Sequence, residues 1–143
     1  MNEGPVTASA VVRYATELED ASAAFYRALA ARFPGLRQTY EGFADECVKS
    51  ALQIQRTYQE AVTDALETGF AFPGLRLKAN ALDVDLPEGV SREAAVARAL
   101  ALEERALAFY EEAGEQAASL LGAIGRAFKR AARVRRRRRD TLL

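Results

Sequence analysis

Two stretches of similar sequence, LEDASAAFY at Leu18–Tyr26 and LEERALAFY at Leu102–Tyr110, decide the fold of this chain. In each stretch a glutamate stands seven residues before the tyrosine of a Phe-Tyr pair, a separation of about two helical turns. The glutamate and the tyrosine therefore share one face of a helix. Because the two copies start 84 residues apart, the sequence predicts an internally duplicated, all-α protein. Each copy places an acidic residue, Glu19 or Glu103, on an otherwise apolar helix face.

Composition favours one helical domain in a reducing compartment. The length of 143 residues suits a single domain spanning 1–143. The single cysteine, Cys47, excludes an intrachain disulfide, and the absence of histidine removes the commonest metal ligand and general base. No basic segment followed by an apolar run opens the chain, and no stretch of about 18 apolar residues occurs. We expect a cytoplasmic protein without a membrane span.

Four amphipathic patterns separated by turn signals predict four helices. They run from about 11 to 33, 37 to 68, 92 to 116 and from about 120 onwards. Thr7 or Ser9 is expected to cap the first helix and Ser91 the third. Residues 1–8 are expected to form a loose arm, and residues 69–90 a long crossover along the bundle.

Charge is distributed unevenly, although the chain is neutral overall. Residues 117–143 hold nine basic residues and a single acid, Asp140. Five consecutive arginines, Arg135–Arg139, open a basic C-terminal segment at 135–143. Such a run attracts nucleic acid or anionic lipid. Because no aromatic residue is interleaved and no reader motif is recognisable, the sequence carries no strong nucleic-acid signal.

The duplicated Glu-x6-Tyr segments, each with Phe before Tyr, resemble the rubrerythrin branch of the ferritin-like superfamily over roughly residues 9–143. The resemblance implies a ferritin-like four-helix bundle with one long crossover between helices 2 and 3, and a homodimer. It also implies a di-iron centre with Glu19 and Glu103 as ligands. Tyr26 and Tyr110 are expected to be core aromatics beside it, with a redox or ligand-gating role as the alternative. The family's remaining ligands, two Glu-x-x-His motifs, fall on Cys47, Ser50, Arg135 and Arg138.

Arginines therefore stand where the resemblance implies metal ligands. This alignment of helices 2 and 4 rests on the aromatics Tyr40 and Phe128. A guanidinium supplies positive charge, as a metal would, in a fork that matches carboxylates. We hypothesise that Arg135 and Arg138 replace the metal as counter-ions of the two glutamates. The alternative is that the last helix frays before Arg135, which would make the arginine run a solvated tail.

The function favoured by these observations is a rubrerythrin-like protein that has lost its di-iron centre. It would act as a non-catalytic structural or interaction module without a cofactor. The enzymatic alternative is a divergent iron-dependent oxidoreductase with Glu19, Glu103 and Cys47 as metal ligands, completed by Glu46 or by a carboxylate from elsewhere in the chain. Glu46 lies one residue off the expected ligand position and should point about 100° away on the helix. A third hypothesis is a nucleic-acid or membrane-surface binder that uses the basic tail.

Overall fold

The structure, a computed structural model, describes residues 6–61, 71–72, 86–118 and 122–143. Four long helices make up nearly all of this described part, which confirms the all-α class. The elements in chain order are β1 (Val6–Thr7), α1 (Ala8–Arg32), a 3-10 turn (Pro34–Leu36), α2 (Arg37–Ala61), β2 (Ala71–Phe72), α3 (Arg92–Ala118) and α4 (Gly122–Leu142).

The chain enters α1 through an ordered segment rather than a loose arm. β1 pairs antiparallel with β2, two residues against two. Thr7 Oγ1 accepts a hydrogen bond from a backbone amide of the first turn at 3.2 Å, which caps α1 as one of the two expected caps. Ala8 begins the helix and is fully buried. The predicted arm at 1–8 is therefore wrong from Val6 onwards, because a pairing partner distant in sequence orders it.

Local signals set the other described helix ends. Pro34 opens the 3-10 turn that separates α1 from α2, and Ser91 Oγ accepts from the Ala94 amide at 3.1 Å at the start of α3. The predicted end of the second helix near Thr68, most of the crossover and the break near Ser119 lie outside the described residues.

The helices pack around one core, in which α1 lies mainly against α2 and α3 mainly against α4. The Tyr14 ring contacts Phe109 at 4.7 Å between centroids, and the Tyr26 hydroxyl donates to Glu103. Residues further along α1 thus contact residues nearer the start of α3. α1 and α3 therefore run in opposite directions.

Aromatic rings repeat the sequence duplication in space. Tyr26 on α1 stacks on Tyr40 of α2 at 6.2 Å, and Tyr110 on α3 packs on Phe128 of α4 at 6.0 Å. Alanine is the commonest buried residue in the described part of the chain, which lets the backbones approach closely. The two tyrosines of the duplicated segments are fully buried in equivalent environments.

α4 continues through the whole arginine run to Leu142. Its helical period divides the run, so that Arg135 and Arg138, three residues apart, face the core while Arg136 and Arg137 are exposed. The solvated-tail alternative is therefore wrong for Arg135 and Arg138. None of the described helices combines the length and the apolarity needed to cross a bilayer.

Candidate functional site

Four buried charges lie together at the centre of the bundle. Glu19 on α1 is 1% exposed, Glu103 on α3 is 0% exposed, and Arg135 and Arg138 on α4 are 1% and 2% exposed. Both glutamates lie on the apolar stripes that bury α1 and α3, so the folding of those stripes carries the carboxylates inward. Buried charges are costly unless they are paired and hydrogen-bonded.

Arg135 bridges the two glutamates. Its Nη2 donates to Glu19 Oε2 at 2.8 Å, and its Nη1 donates to both carboxylate oxygens of Glu103 at 3.1 Å. Nη2 also donates to Ser22 Oγ at 3.0 Å, while the Ser22 hydroxyl donates to the Leu18 carbonyl at 2.7 Å. One guanidinium therefore ties α1, α3 and α4 together.

Arg138 extends the cluster to α2. Its Nη1 donates to Glu103 Oε2 at 3.2 Å, and its Nη2 donates to Glu46 Oε1 at 3.0 Å. The guanidinium carbon also lies 5.5 Å from the centre of the Tyr26 ring and 5.4 Å from that of Phe43, within cation–π range. Arg138 Nε is buried and has no hydrogen-bond partner.

Each tyrosine of the duplicated segments bonds to the glutamate of the other copy. The Tyr26 hydroxyl donates to Glu103 Oε2, and the Tyr110 hydroxyl donates to Glu19 Oε2 at 2.5 Å. Burial first, and then the adjacent carboxylate, raise the pKa of both tyrosines well above the ordinary phenol value, so both hydroxyls stay protonated as donors. These crossed bonds brace α1 against α3.

The cluster keeps both arginines charged. Burial alone would lower the pKa of Arg135, but the carboxylates of Glu19 and Glu103 outweigh it and raise that pKa above its usual range. For Arg138, Glu103 likewise outweighs burial and raises the pKa. Two negative and two positive side chains therefore balance at the centre of the bundle.

Small side chains from α2 complete the cluster. Cys47 is fully buried and its Sγ accepts from Arg138 Nη1 at 3.4 Å. Burial raises the pKa of the Cys47 thiol to about 12, so the sulfur is a neutral thiol near pH 7. Ser50, one turn further along α2, is half-buried. The short Cys47 side chain on α2 thus faces the long Arg138 side chain of α4 and leaves volume for it.

Two residues of the cluster, Ser22 and Glu46, could not be assigned their contacts from the sequence. Ser22 lies on the predicted inward stripe, but its role as an acceptor for Arg135 depends on a residue 113 positions away. The expectation that Glu46 points away from the site is wrong. The Glu46 carboxylate is half-exposed at the rim of the cluster and accepts a hydrogen bond from Arg138 Nη2. Its flexible side chain reaches back to the cluster from a Cα that lies on a neighbouring face of α2.

The donor set does not fit a di-iron centre. The Arg135 guanidinium already occupies the space between the two carboxylates that would hold metal ions. Within the described ranges, His, Cys, Asp and Glu side chains form no group of three that could hold a metal ion. A divalent cation entering this space would have to displace a guanidinium from both glutamates.

Searches against protein-family models, curated proteins and solved structures found no match to this chain.

Proposed function

We propose that this chain is a rubrerythrin-like four-helix bundle in which a buried arginine–glutamate cluster has replaced the di-iron centre. In this proposal it serves as a non-catalytic structural or interaction module. The observation that carries the proposal is the bridging of Glu19 and Glu103 by the single guanidinium of Arg135, at 2.8 and 3.1 Å.

The crossed tyrosine–glutamate bonds support the ancestry. Two separate segments of similar sequence place the same pair of side chains in equivalent, reciprocal contacts. A duplication explains this reciprocity, and internally repeated helix pairs with inward carboxylates are the architecture of ferritin-like carboxylate sites.

Helix direction supports the one-crossover topology. α1 and α3 run in opposite directions, and the three-residue turn between α1 and α2 makes that pair antiparallel. α2 and α3 would then run in the same direction, and the connection between them would have to travel back along the bundle. The 30 residues between Ala61 and Arg92 are long enough for that path.

Charge balance supports the loss of metal chemistry. A di-iron centre would offset the two glutamates with metal cations, whereas the arginines do so with permanent side-chain charge. A site neutralised in this way attracts a divalent cation weakly, because each guanidinium repels it at short range. The cluster instead offers geometric specificity, since its bonds join all four helices in one register.

Metal loading tests this proposal. Purified protein is incubated anaerobically with excess ferrous iron and desalted, and iron per chain is then measured by mass spectrometry together with peroxide-dependent iron oxidation. We expect substoichiometric iron and no oxidation above that of free iron. Binding of about two irons per chain would overturn the proposal in favour of the divergent oxidoreductase. The homodimer is part of the same proposal, and sedimentation equilibrium should give twice the chain mass.

A further inference from the structure

The exposed face of α4 carries an unbroken line of positive charge, here called the basic ridge. Its members are exposed side chains at three- and four-residue spacing, so they fall within an arc of about 120° over about 16 Å of helix. They are Arg126, Lys129, Arg130, Arg133, Arg136 and Arg137. The opposite face of α4 is buried in the bundle, which fixes the direction of the ridge.

Two of the six cations of the basic ridge pair with acids of neighbouring helices. Arg136 pairs with Glu111 of α3, and Arg137 pairs with Glu46 of α2 at 3.4 Å. The other four cations of the ridge form no ion pair with any residue of the described ranges. Within the described ranges the ridge thus keeps four cations without a direct ion pair, and two acids of α3, Glu111 and Glu115, border the same surface hollow as Lys129 and Arg133.

A surface hollow lies at the C-terminal end of the ridge. It has a volume of about 550 Å³ and is lined by Arg133, Arg136, Arg137, Asp140 and Thr141. Arg133, Arg136 and Arg137 thus border one open space that a charged oxygen group could enter. Asp140 also lines the hollow but is engaged by Arg139 at 3.1 Å, so it does not cancel these cations.

The chemistry of the ridge suits phosphate groups. Five of its six members are arginines, whose planar forks bind phosphate oxygens in pairs. The arc exposes no aromatic, Asn or Gln side chain that could stack on a base or read its edge. It also exposes no apolar side chain for insertion into a bilayer, because the apolar face of α4 is inside the bundle.

We propose that the basic ridge of α4 binds the phosphate backbone of nucleic acid without sequence preference. The neutral net charge of the chain restricts this contact to one face, because the remaining surface carries the balancing acids. The proposal does not depend on the origin of the buried cluster, since only exposed side chains take part. It requires only that α4 be helical through Arg137.

Salt dependence of binding measures the number of phosphates engaged. A fluorescently labelled mixed-sequence DNA duplex is titrated with the full chain, and the dissociation constant is followed by anisotropy at several salt concentrations. The four ridge cations outside the two ion pairs predict a slope of about −3.6 for the logarithm of the association constant against log[salt], or a loss of about 150-fold in affinity between roughly 50 and 200 mM salt. A second duplex of unrelated sequence should bind within about twofold.

A charge-matched pair of variants locates the contact. The ridge variant carries Arg126→Gln, Lys129→Gln, Arg130→Gln and Arg133→Gln. The control variant removes the same charge from exposed positions on α1 and α2: Arg13→Gln, Arg27→Gln, Lys49→Gln and Arg56→Gln. We expect the ridge variant to lose at least about tenfold in affinity with a flattened salt slope, and the control to lose less than about threefold.

Three results would overturn the proposal. The first is absence of measurable binding by the wild-type chain at low salt. The second is an equal loss in both variants, which would indicate net charge rather than a defined surface. The third is capture by phosphatidylserine-containing vesicles without binding to DNA, which would assign the ridge to a membrane surface. Circular dichroism of each variant verifies that the helices are intact, and the wild-type salt slope tests the proposal even if a variant fails to fold.

Discussion

Replacing Glu19 by glutamine removes one negative charge from the buried cluster and preserves the shape of the side chain. The carboxylate accepts from Arg135 at 2.8 Å and from the Tyr110 hydroxyl at 2.5 Å on the same oxygen. An amide can present either its oxygen or its nitrogen to these donors, and the cluster becomes a net cation. One charge-assisted hydrogen bond contributes about 1.5–3 kcal/mol, and breaking a buried pair costs about 3–5 kcal/mol. We expect Glu19→Gln to lower the free energy of unfolding by about 3 kcal/mol.

Urea unfolding followed by circular dichroism at neutral pH measures this loss. The matched control is Glu17→Gln, an exposed acid on the same helix, which should change stability by no more than about 0.5 kcal/mol. A double-mutant cycle with Arg135→Met should be non-additive by at least about 1 kcal/mol, because the double variant again has a balanced core. Equal stability of wild type and Glu19→Gln would refute the reasoning, since it would place the carboxylate in contact with water.

Three further outcomes follow from the same contacts. Tyr110→Phe should lower the free energy of unfolding by about 1–2 kcal/mol, measured by calorimetry, because the buried Glu19 carboxylate loses one hydrogen-bond donor. An unchanged melting curve would contradict a stabilising hydrogen bond between Tyr110 and Glu19. Burial raises the pKa of Cys47 to about 12, above the unfolded value of about 8.5. The unfolded chain therefore loses the thiol proton at a lower pH than the folded chain. The free energy of unfolding of the wild type should then fall relative to that of Cys47→Ala as pH rises from about 8.5 towards 12. Parallel pH profiles of stability for the two proteins would contradict a buried neutral thiol. Finally, a quadruple variant can restore a carboxylate–histidine set of the ferritin-like type: Cys47→Glu, Ser50→His, Arg135→Glu and Arg138→His. This variant should bind about two divalent ions per chain by calorimetric titration. No binding would argue against the proposed ancestry.

Local sequence signals were sufficient to predict the helices. Thr7 and Ser91 cap the helices that they were expected to cap, and Pro34 opens the turn between α1 and α2. These signals act within one or two turns, so a single sequence contains them. The ordered start at Val6 was missed because its partner, β2, lies more than 60 residues away.

The sequence left two possibilities open for the arginine run. Alignment on Phe128 placed Arg135 and Arg138 on the inward face of the last helix, whereas fraying before Arg135 would have left the run in solvent. What selects Arg135 is a pair of acceptors on α1 and α3, 116 and 32 residues away. The burial of a long charged side chain is therefore decided by tertiary contacts.

The hydrogen-bond partners of the two tyrosines could not be predicted from the sequence. The sequence predicts that each glutamate and the tyrosine seven residues later share a helix face, and this is what places them all in the core. Seven residues of helix span about 10.5 Å, however, which is too far for the two to bond directly. Each tyrosine instead bonds to the glutamate of the opposite copy, a pairing that only the antiparallel packing of α1 and α3 reveals.

A crystal structure of protein produced in iron-supplemented medium, with diffraction data collected on both sides of the iron absorption edge, would test the central assignment most directly. We expect flat guanidinium density from Arg135 between Glu19 and Glu103 and no anomalous peak at that place. An anomalous peak between the two carboxylates, with Arg135 and Arg138 turned towards solvent, would contradict it.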